Sequence, residues 1–122
     1  MPVPPAPPPD AAIVTVLRAA GCVFAEDEAR LLVSEARTPA ELAVMVDRRA
    51  AGQPLEHVLG WADFCGLRIA VDPGVFVPRR RTEFLVHQAV AIAPPRPVIV
   101  DLCCGSGAVG AALAAALDGA EL

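Results

Sequence analysis

The sequence contains no lysine, so all ten of its basic residues are arginines, and its formal net charge is −4. A nucleic-acid surface needs clustered positive charge that displaces counterions from phosphates. The one run of three basic residues is Arg79, Arg80 and Arg81, and a run this short is most often a solvated turn. The composition therefore does not indicate direct binding of RNA or DNA.

Metal-binding cysteine spacing and long apolar runs are also missing. The four cysteines show no C-x-x-C spacing and no nearby histidine cluster, which argues against a structural zinc site and favours reduced thiols in a cytoplasmic protein. No stretch approaches the ~20 apolar residues of a membrane helix. With 55% apolar residues the chain can still bury a core. We therefore expect a cytoplasmic protein with no metal site and no membrane segment.

The sequence supplies a single strand of the kind that parallel sheets contain. Residues 98–100 are apolar on both faces, which is typical of a strand inside a parallel sheet. Such a sheet needs further strands, each reached through a crossover helix. We expect an α/β domain that is cut off after its first strand, loop and helix, and hence a fragment of a longer protein.

A helical module is predicted over residues 10–60, after a proline-rich tail at residues 1–9 that we expect to be disordered. Asp10 is placed to cap the first helix and Gly21 to end it. Thr38-Pro39-Ala40-Glu41 forms a capping box with proline at the first helical position, a strong start signal. The predicted helices span residues 11–20, 26–37, 39–51 and 55–59.

Between this module and the apolar strand we predict a hairpin linker over residues 61–81. Its arms are residues 67–71 and 75–77, joined by the turn residues at 72–74, because alternating apolar side chains flank Asp-Pro-Gly. Thr82 is then predicted to cap a helix that stops before Pro94. Residues 82–122 begin the α/β domain.

The loop after the apolar strand fits two cofactor patterns. Gly105-x-Gly107-x-x-Gly110 matches the dinucleotide fingerprint, and Asp101-x-x-x-Gly105-x-Gly107 matches the loop of S-adenosylmethionine enzymes. A carboxylate at the strand end repels a pyrophosphate and attracts a ligand that carries an ammonium and a sulfonium. The charge of Asp101 therefore favours S-adenosylmethionine, while the alternative that Asp101 only caps the loop stays open.

Four motifs occur in one order along the chain: GQPLEHVLG at 52–60, FxGL at 64–67, PGVFVPRxxTE at 73–83 and DxxxGSGA at 101–108. This order resembles the HemK/PrmC family of N(5)-glutamine methyltransferases, which modify the Gly-Gly-Gln loop of peptide-chain release factors. The resemblance covers about residues 10–122. It implies a small helical bundle that contacts the protein substrate, a β-hairpin linker and the start of a class I, Rossmann-like methyltransferase domain.

The resemblance also implies the residues of an S-adenosylmethionine site. The cofactor-binding residues would be Asp101, Cys103, Cys104, Gly105, Ser106, Gly107, Phe76, Thr82 and Glu83. Arg79 would lie at the glutamine pocket. From the residues alone, Arg79 and Glu83 are equally well explained as an ion pair across a helix start, and Phe76 as a core residue.

The sequence departs from the family pattern in two ways. Cys103 stands where the family usually has glycine, and we expect it to adopt ordinary backbone angles. The family's Asn-Pro-Pro-Tyr motif, which positions the glutamine amide, does not occur, and neither does the acidic residue expected to bind the ribose hydroxyls. We therefore expect no catalytic residue within these 122 residues and no activity from them alone.

Several alternatives remain open at this stage. The protein substrate is a release factor or, in a sister branch of the family, a ribosomal protein. Related enzymes that methylate adenine in nucleic acids share the cofactor loop, although the acidic charge argues against them. A non-catalytic helical interaction module is a third possibility, and a nicotinamide oxidoreductase comes last because of Asp101.

Overall fold

The computed structural model describes residues 1–3 and 10–122. The predicted proline-rich tail thus falls mostly outside the described residues. The chain combines helices with a two-stranded antiparallel hairpin, and it divides into two compact units, Met1–Leu59 and Gly60–Leu122. No helix in the described part of the chain is long and apolar enough to cross a membrane.

The first unit is helical, as predicted. Its helices are α1 (Ala11–Ala19), α2 (Ala25–Glu35), α3 (Pro39–Ala50) and α4 (Leu55–Leu59). Their shared core consists mainly of small and aliphatic side chains, among them Leu17, Cys22, Ala25, Ala29, Leu32, Met45, Val46 and Val58. Along α2 the buried residues Ala25, Glu28, Ala29 and Leu32 recur every three or four positions, which is the spacing of a single helix face.

The start of α3 follows the predicted cap closely. The Thr38 side chain accepts a hydrogen bond from the Glu41 N–H at 3.1 Å. The Glu41 carboxylate in turn accepts from the Arg37 N–H at 3.1 Å, one residue before the partner that a capping box would give it. For α1 the prediction was wrong, because Asp10 lies at the N-cap but its side chain makes no capping bond.

One ion pair lies largely inside the first unit. The Glu28 carboxylate is 2.5 Å from Arg49 Nε, with only 9% of the Glu28 side chain exposed. This bond holds the pKa of the Arg49 guanidinium above its ordinary value, against the opposing effect of burial. Burying a carboxylate without such a partner costs free energy, so the pair explains how the Glu28 side chain of α2 is accommodated in a buried position beside α3.

The second unit begins with a tight hairpin, β1 (Trp61–Phe64) and β2 (Leu67–Ala70), in which Phe64 pairs with Leu67. The two turn residues, Cys65 and Gly66, both have positive φ, +50° and +75°, which is the backbone of a type I′ turn. The predicted pairing of residues 67–71 with 75–77 was therefore wrong, since residues 75–77 form no strand.

Two helices pack against the hairpin. A short 3₁₀ turn at Arg80–Thr82 leads into α5 (Glu83–Ile92), and α6 spans Ala108–Ala116. The core that joins them contains Phe64, Ile69, Val86, Ala108, Ala112 and Leu113. The predicted cap at Thr82 was wrong, because this residue already has helical angles and its side chain makes no capping bond.

The predicted apolar strand at residues 98–100 forms only a single parallel bridge, between Val98 and Glu121. The Ile99 N–H donates to the Glu121 carbonyl at 2.7 Å, and the Glu121 N–H donates to the Pro97 carbonyl at 2.9 Å. Val98 and Val100 are each 75% exposed. The expectation of a strand buried on both faces was therefore wrong for these residues, because burial requires neighbouring strands on both sides and layers above and below.

Candidate functional site

Residues 101–107 form the loop between the bridged segment and α6. Gly105 and Gly107 take left-handed backbone angles, with φ of +56° and +80°, and the Gly107 N–H donates to the Cys104 carbonyl at 2.8 Å. A Cβ added to either glycine would meet no atom within 4 Å. The glycines are thus needed for their backbone angles, and they leave open backbone that a ligand can approach.

Cys103 shares this left-handed conformation, with φ of +56°. The expectation that a side chain here must adopt ordinary angles was wrong. A left-handed conformation costs a non-glycine residue about 1–2 kcal/mol, so the rest of the loop holds Cys103 in the shape that a glycine takes readily. Strain of this kind persists only where neighbouring structure enforces it, and it concentrates at ligand-binding loops.

Asp101 is tied to the first turn of α6. Its Oδ2 atom accepts a hydrogen bond from the Gly110 N–H at 3.1 Å, so it satisfies one of the unpaired amides at the helix start. A Cβ on Gly110 would lie 3.2 Å from that same oxygen, and glycine therefore allows the carboxylate its close approach. A carboxylate has about four acceptor positions, so Asp101 keeps capacity for a ligand.

Glu83 connects α5 to the hairpin turn. Its Oε1 atom accepts a hydrogen bond from the Cys65 N–H at 2.8 Å. The pKa of the Cys65 thiol is raised by burial and, to a lesser extent, by the carboxylates of Glu83 and Asp63. The alternative ion pair between Glu83 and Arg79 is not formed in the described part of the chain.

Arg79 instead contacts Phe76. Its guanidinium carbon lies 5.4 Å from the centre of the Phe76 ring, within the range of a cation–π contact. Phe76 is 66% exposed, so it is not a core residue. Thr82 follows as the half-buried last residue of the 3₁₀ turn, so Phe76, Arg79 and Thr82 lie on one continuous segment before α5.

The predicted site residues thus form two groups. One precedes α5, namely Phe76, Arg79, Thr82 and Glu83. The other is the loop before α6, where Ser106 and Gly107 are half-buried and Cys103, Cys104 and Gly105 are exposed. Within residues 10–122, no hydrogen bond or ion pair joins the two groups. The loop group has the chemistry to hold a small ligand whose positive charge faces Asp101 and whose bulk lies along the glycine backbone.

Comparison with known proteins finds relatives that share one name. It is 41% identical over 87 residues to the release factor glutamine methyltransferase of Geobacter sulfurreducens, which is 69% of this chain and 31% of that protein. The enzyme of the same name from Bifidobacterium longum is 39% identical over 103 residues, 79% of this chain and 35% of the relative. The chain belongs to the release factor glutamine methyltransferase family. No protein-family model matches it.

The chain spans about a third of the length of the proteins it matches. A third example, from Mycolicibacterium smegmatis, is 47% identical over 92 residues, 72% of this chain and 33% of that protein. The family assignment made from the four sequence motifs is confirmed.

Sequence reasoning assigned no structural role to two residues beside the site. In the sequence, Gly110 matched only the dinucleotide pattern. In the structure, its N–H donates a hydrogen bond to the Asp101 carboxylate. In the sequence, Cys65 was considered only as a possible metal ligand. In the structure, its backbone N–H donates a hydrogen bond to the Glu83 carboxylate. A signal for the second was present in Cys65-Gly66, since a glycine at the second turn position between alternating residues favours a two-residue hairpin loop.

Proposed function

We propose that this chain contributes the cofactor loop and a protein-binding module to an S-adenosylmethionine-dependent methyltransferase that methylates a glutamine side-chain amide in a peptide-chain release factor. The observation that carries the proposal is the identity of 39–50% to proteins of that name, over 57–79% of the chain. The three other candidates, a nucleic-acid methyltransferase, a non-catalytic helical module and a nicotinamide oxidoreductase, have no comparable support.

The cofactor assignment is supported by the fit of the loop before α6. S-adenosylmethionine supplies an activated methyl group on a sulfonium centre. Asp101 has acceptor capacity for the ammonium of its methionine part, and the open backbone around Gly105 and Gly107 gives it room. Cys103, Cys104 and Ser106 would complete this group through their backbone. Opposite charges within ~4–6 Å attract strongly enough to orient such a ligand.

The domain assignment extends the same proposal. Residues 10–60 would be the helical module that contacts the protein substrate, residues 61–81 the hairpin linker, and residues 82–122 the start of a Rossmann-like domain. The parallel bridge between Val98 and Glu121, with α6 between the two, supports this start, since a strand–helix–strand crossover is its repeating unit.

The segment before α5 would form the side of the site that receives glutamine. Phe76 and Arg79 are exposed and in contact with each other, and we assign Arg79 to the glutamine pocket and Phe76, with Thr82 and Glu83, to the cofactor side. Such residues bind and orient the amide, because an amide nitrogen is a weak nucleophile and its reaction depends on positioning. The substrate loop would be Gly-Gly-Gln.

These 122 residues contain no Asn-Pro-Pro-Tyr motif. In the proposed reaction that motif accepts hydrogen bonds from the glutamine amide and aligns it, so we propose that these residues alone do not catalyse methyl transfer. The reaction would take place in the cytoplasm, where free thiols such as the four cysteines of this chain persist in reduced form.

The direct test is methyl transfer from labelled S-adenosylmethionine by the purified whole protein. We expect label on a release factor, located by mass spectrometry at the glutamine of its Gly-Gly-Gln loop, and none on a release factor in which that glutamine is replaced by alanine. The 122-residue chain assayed alone should transfer nothing. Label that appears on RNA, on DNA or on a ribosomal protein would contradict the release-factor assignment.

A further inference from the structure

Two of the four cysteines are adjacent and exposed on one loop. Cys103 and Cys104 both lie on the surface between the bridged segment and α6, whereas Cys22 is buried in the helical core and Cys65 is half-buried in the hairpin turn. All four are free thiols. The chain therefore presents one pair of adjacent exposed cysteines, together with two less accessible thiols that serve as internal references.

The backbone conformation of the loop favours reaction of both thiols with the same ligand. In an extended chain, consecutive side chains point to opposite faces, but the left-handed φ of +56° at Cys103 breaks that alternation. The Cys104 sulfur lies 3.8 Å from the Gly105 carbonyl oxygen, a weak contact to its own loop. Neither thiol is buried by packing, so both are open to the same reagent.

The other two thiols are less open to reagents. Burial and the nearby carboxylates of Glu83 and Asp63 raise the pKa of Cys65, and this lowers the fraction of its reactive thiolate form. Cys22 is only 7% exposed. In residues 1–3 and 10–122, no group of three or more His, Cys, Asp or Glu could hold a metal ion. The loop pair is thus suited to a thiophilic ligand that is satisfied by two sulfur atoms.

We propose that Cys103 and Cys104 form a dithiol site that captures trivalent arsenic compounds. With an aryl arsenoxide, two arsenic–sulfur bonds form and the arsenic–oxygen bond breaks. The two thiol protons leave with that oxygen as one molecule of water. Arsenic stays trivalent and neither sulfur is oxidised, so no further reactant is needed. Because the second bond forms within the same loop, capture by two thiols is far tighter than capture by one.

Capture at this loop would also block the ligand site, a consequence that rests on the proposed function. Cys103 and Cys104 belong to the group assigned to S-adenosylmethionine and directly precede Gly105, so an arsenic bridge between them would add bulk to the loop whose open backbone is assigned to the cofactor. The arsenical would then compete with the cofactor. The dithiol site itself depends only on the two thiols and stands apart from the identity of that cofactor.

The test is to treat the whole protein with one equivalent of phenylarsine oxide and measure its intact mass after a wash with glutathione. We expect a gain equal to the reagent less one water, reversed by dithiothreitol. Cys103→Ser and Cys104→Ser should each weaken retention roughly a hundredfold or more, while Cys65→Ser, the matched control, should retain the reagent as the wild type does.

Retention by either loop variant at the wild-type level, or its loss in Cys65→Ser, would overturn the dithiol site. Serine at an exposed loop position should leave the fold intact, and circular dichroism of each variant checks this. Cofactor binding is measured separately by calorimetry on the same samples. If the arsenical is captured at the loop pair but S-adenosylmethionine binds equally well before and after, the dithiol site is upheld and the cofactor assignment fails.

Discussion

Replacing Glu83 with alanine should destabilise the second unit, because this carboxylate holds the hairpin turn against α5 through the Cys65 N–H at 2.8 Å. A hydrogen bond to a charged group contributes about 1.5–3 kcal/mol, and a donor left without a partner adds to the loss. Glu83 is half-buried, so we expect a loss of about 2 kcal/mol. Glu83→Gln keeps an oxygen acceptor without the charge and should lose about half as much.

Urea unfolding followed by tryptophan fluorescence reports this change, because the sole tryptophan, Trp61, lies in β1 of the same unit. With a slope of about 1–2 kcal/mol per molar urea, the Glu83→Ala midpoint should fall by about 1–2 M. Glu121→Ala, which removes an exposed carboxylate of the same unit, is the control and should leave the midpoint nearly unchanged. A Glu83→Ala midpoint equal to the wild-type value would refute the structural role of Glu83.

Three further changes test the local chemistry. Cys103→Gly should raise the free energy of unfolding by up to about 1 kcal/mol, since glycine adopts the left-handed angle without strain; a lower urea midpoint would contradict this. Thr38→Ala should cost about 1 kcal/mol through the lost cap on the Glu41 N–H, seen as a lower helical melting temperature, and Thr38→Ser should retain most of it. The hydrogen bond from Arg18 lowers the pKa of Glu26, so its stabilising effect is present above the ordinary glutamate pKa and is lost as the pH falls through the lowered value. Arg18→Gln should raise the Glu26 pKa toward its ordinary value in an NMR titration, and an unchanged pKa would show that the pair does not form in solution.

The helices were predictable because their signals are local. Thr38 and Pro39 fix the start of α3 within one turn of chain. Gly21, with φ of +96°, ends α1, where its own N–H donates to the Arg18 carbonyl and the Cys22 N–H donates to the Leu17 carbonyl. Such signals need no knowledge of distant residues. Asp10 shows their limit, since a residue of the right type at the right position makes no capping bond.

The hairpin and the apolar segment depend on partners that the local pattern does not specify. Residues 67–71 can pair with a strand on either side, and the turn at Cys65 and Gly66 selects the preceding one. At residues 98–100 the apolar composition predicts a buried strand, but burial is a property of the whole sheet. One bridge to Glu121 leaves those side chains exposed.

At the candidate site, the sequence motif predicted the loop but not the contacts that its residues make. The spacing of Asp101, Gly105 and Gly107 predicted a ligand loop, and the left-handed glycines agree with it. The spacing alone could not show that Asp101 also supports α6 through Gly110. The two proposed roles of Asp101, as a helix cap and as a contact for the cofactor, are compatible. One carboxylate oxygen accepts from the helix N–H, and the carboxylate has further acceptor positions for the cofactor.

The most direct test of the cofactor assignment is calorimetric titration of S-adenosylmethionine into the whole protein and into its Asp101→Asn variant. Asparagine keeps an oxygen for the Gly110 N–H but removes the negative charge, so the fold should persist with a melting temperature lowered by only a few degrees, while the dissociation constant rises about tenfold or more. Equal affinity in the two proteins would remove Asp101 from the cofactor site, and binding of NAD in place of S-adenosylmethionine would contradict the assignment.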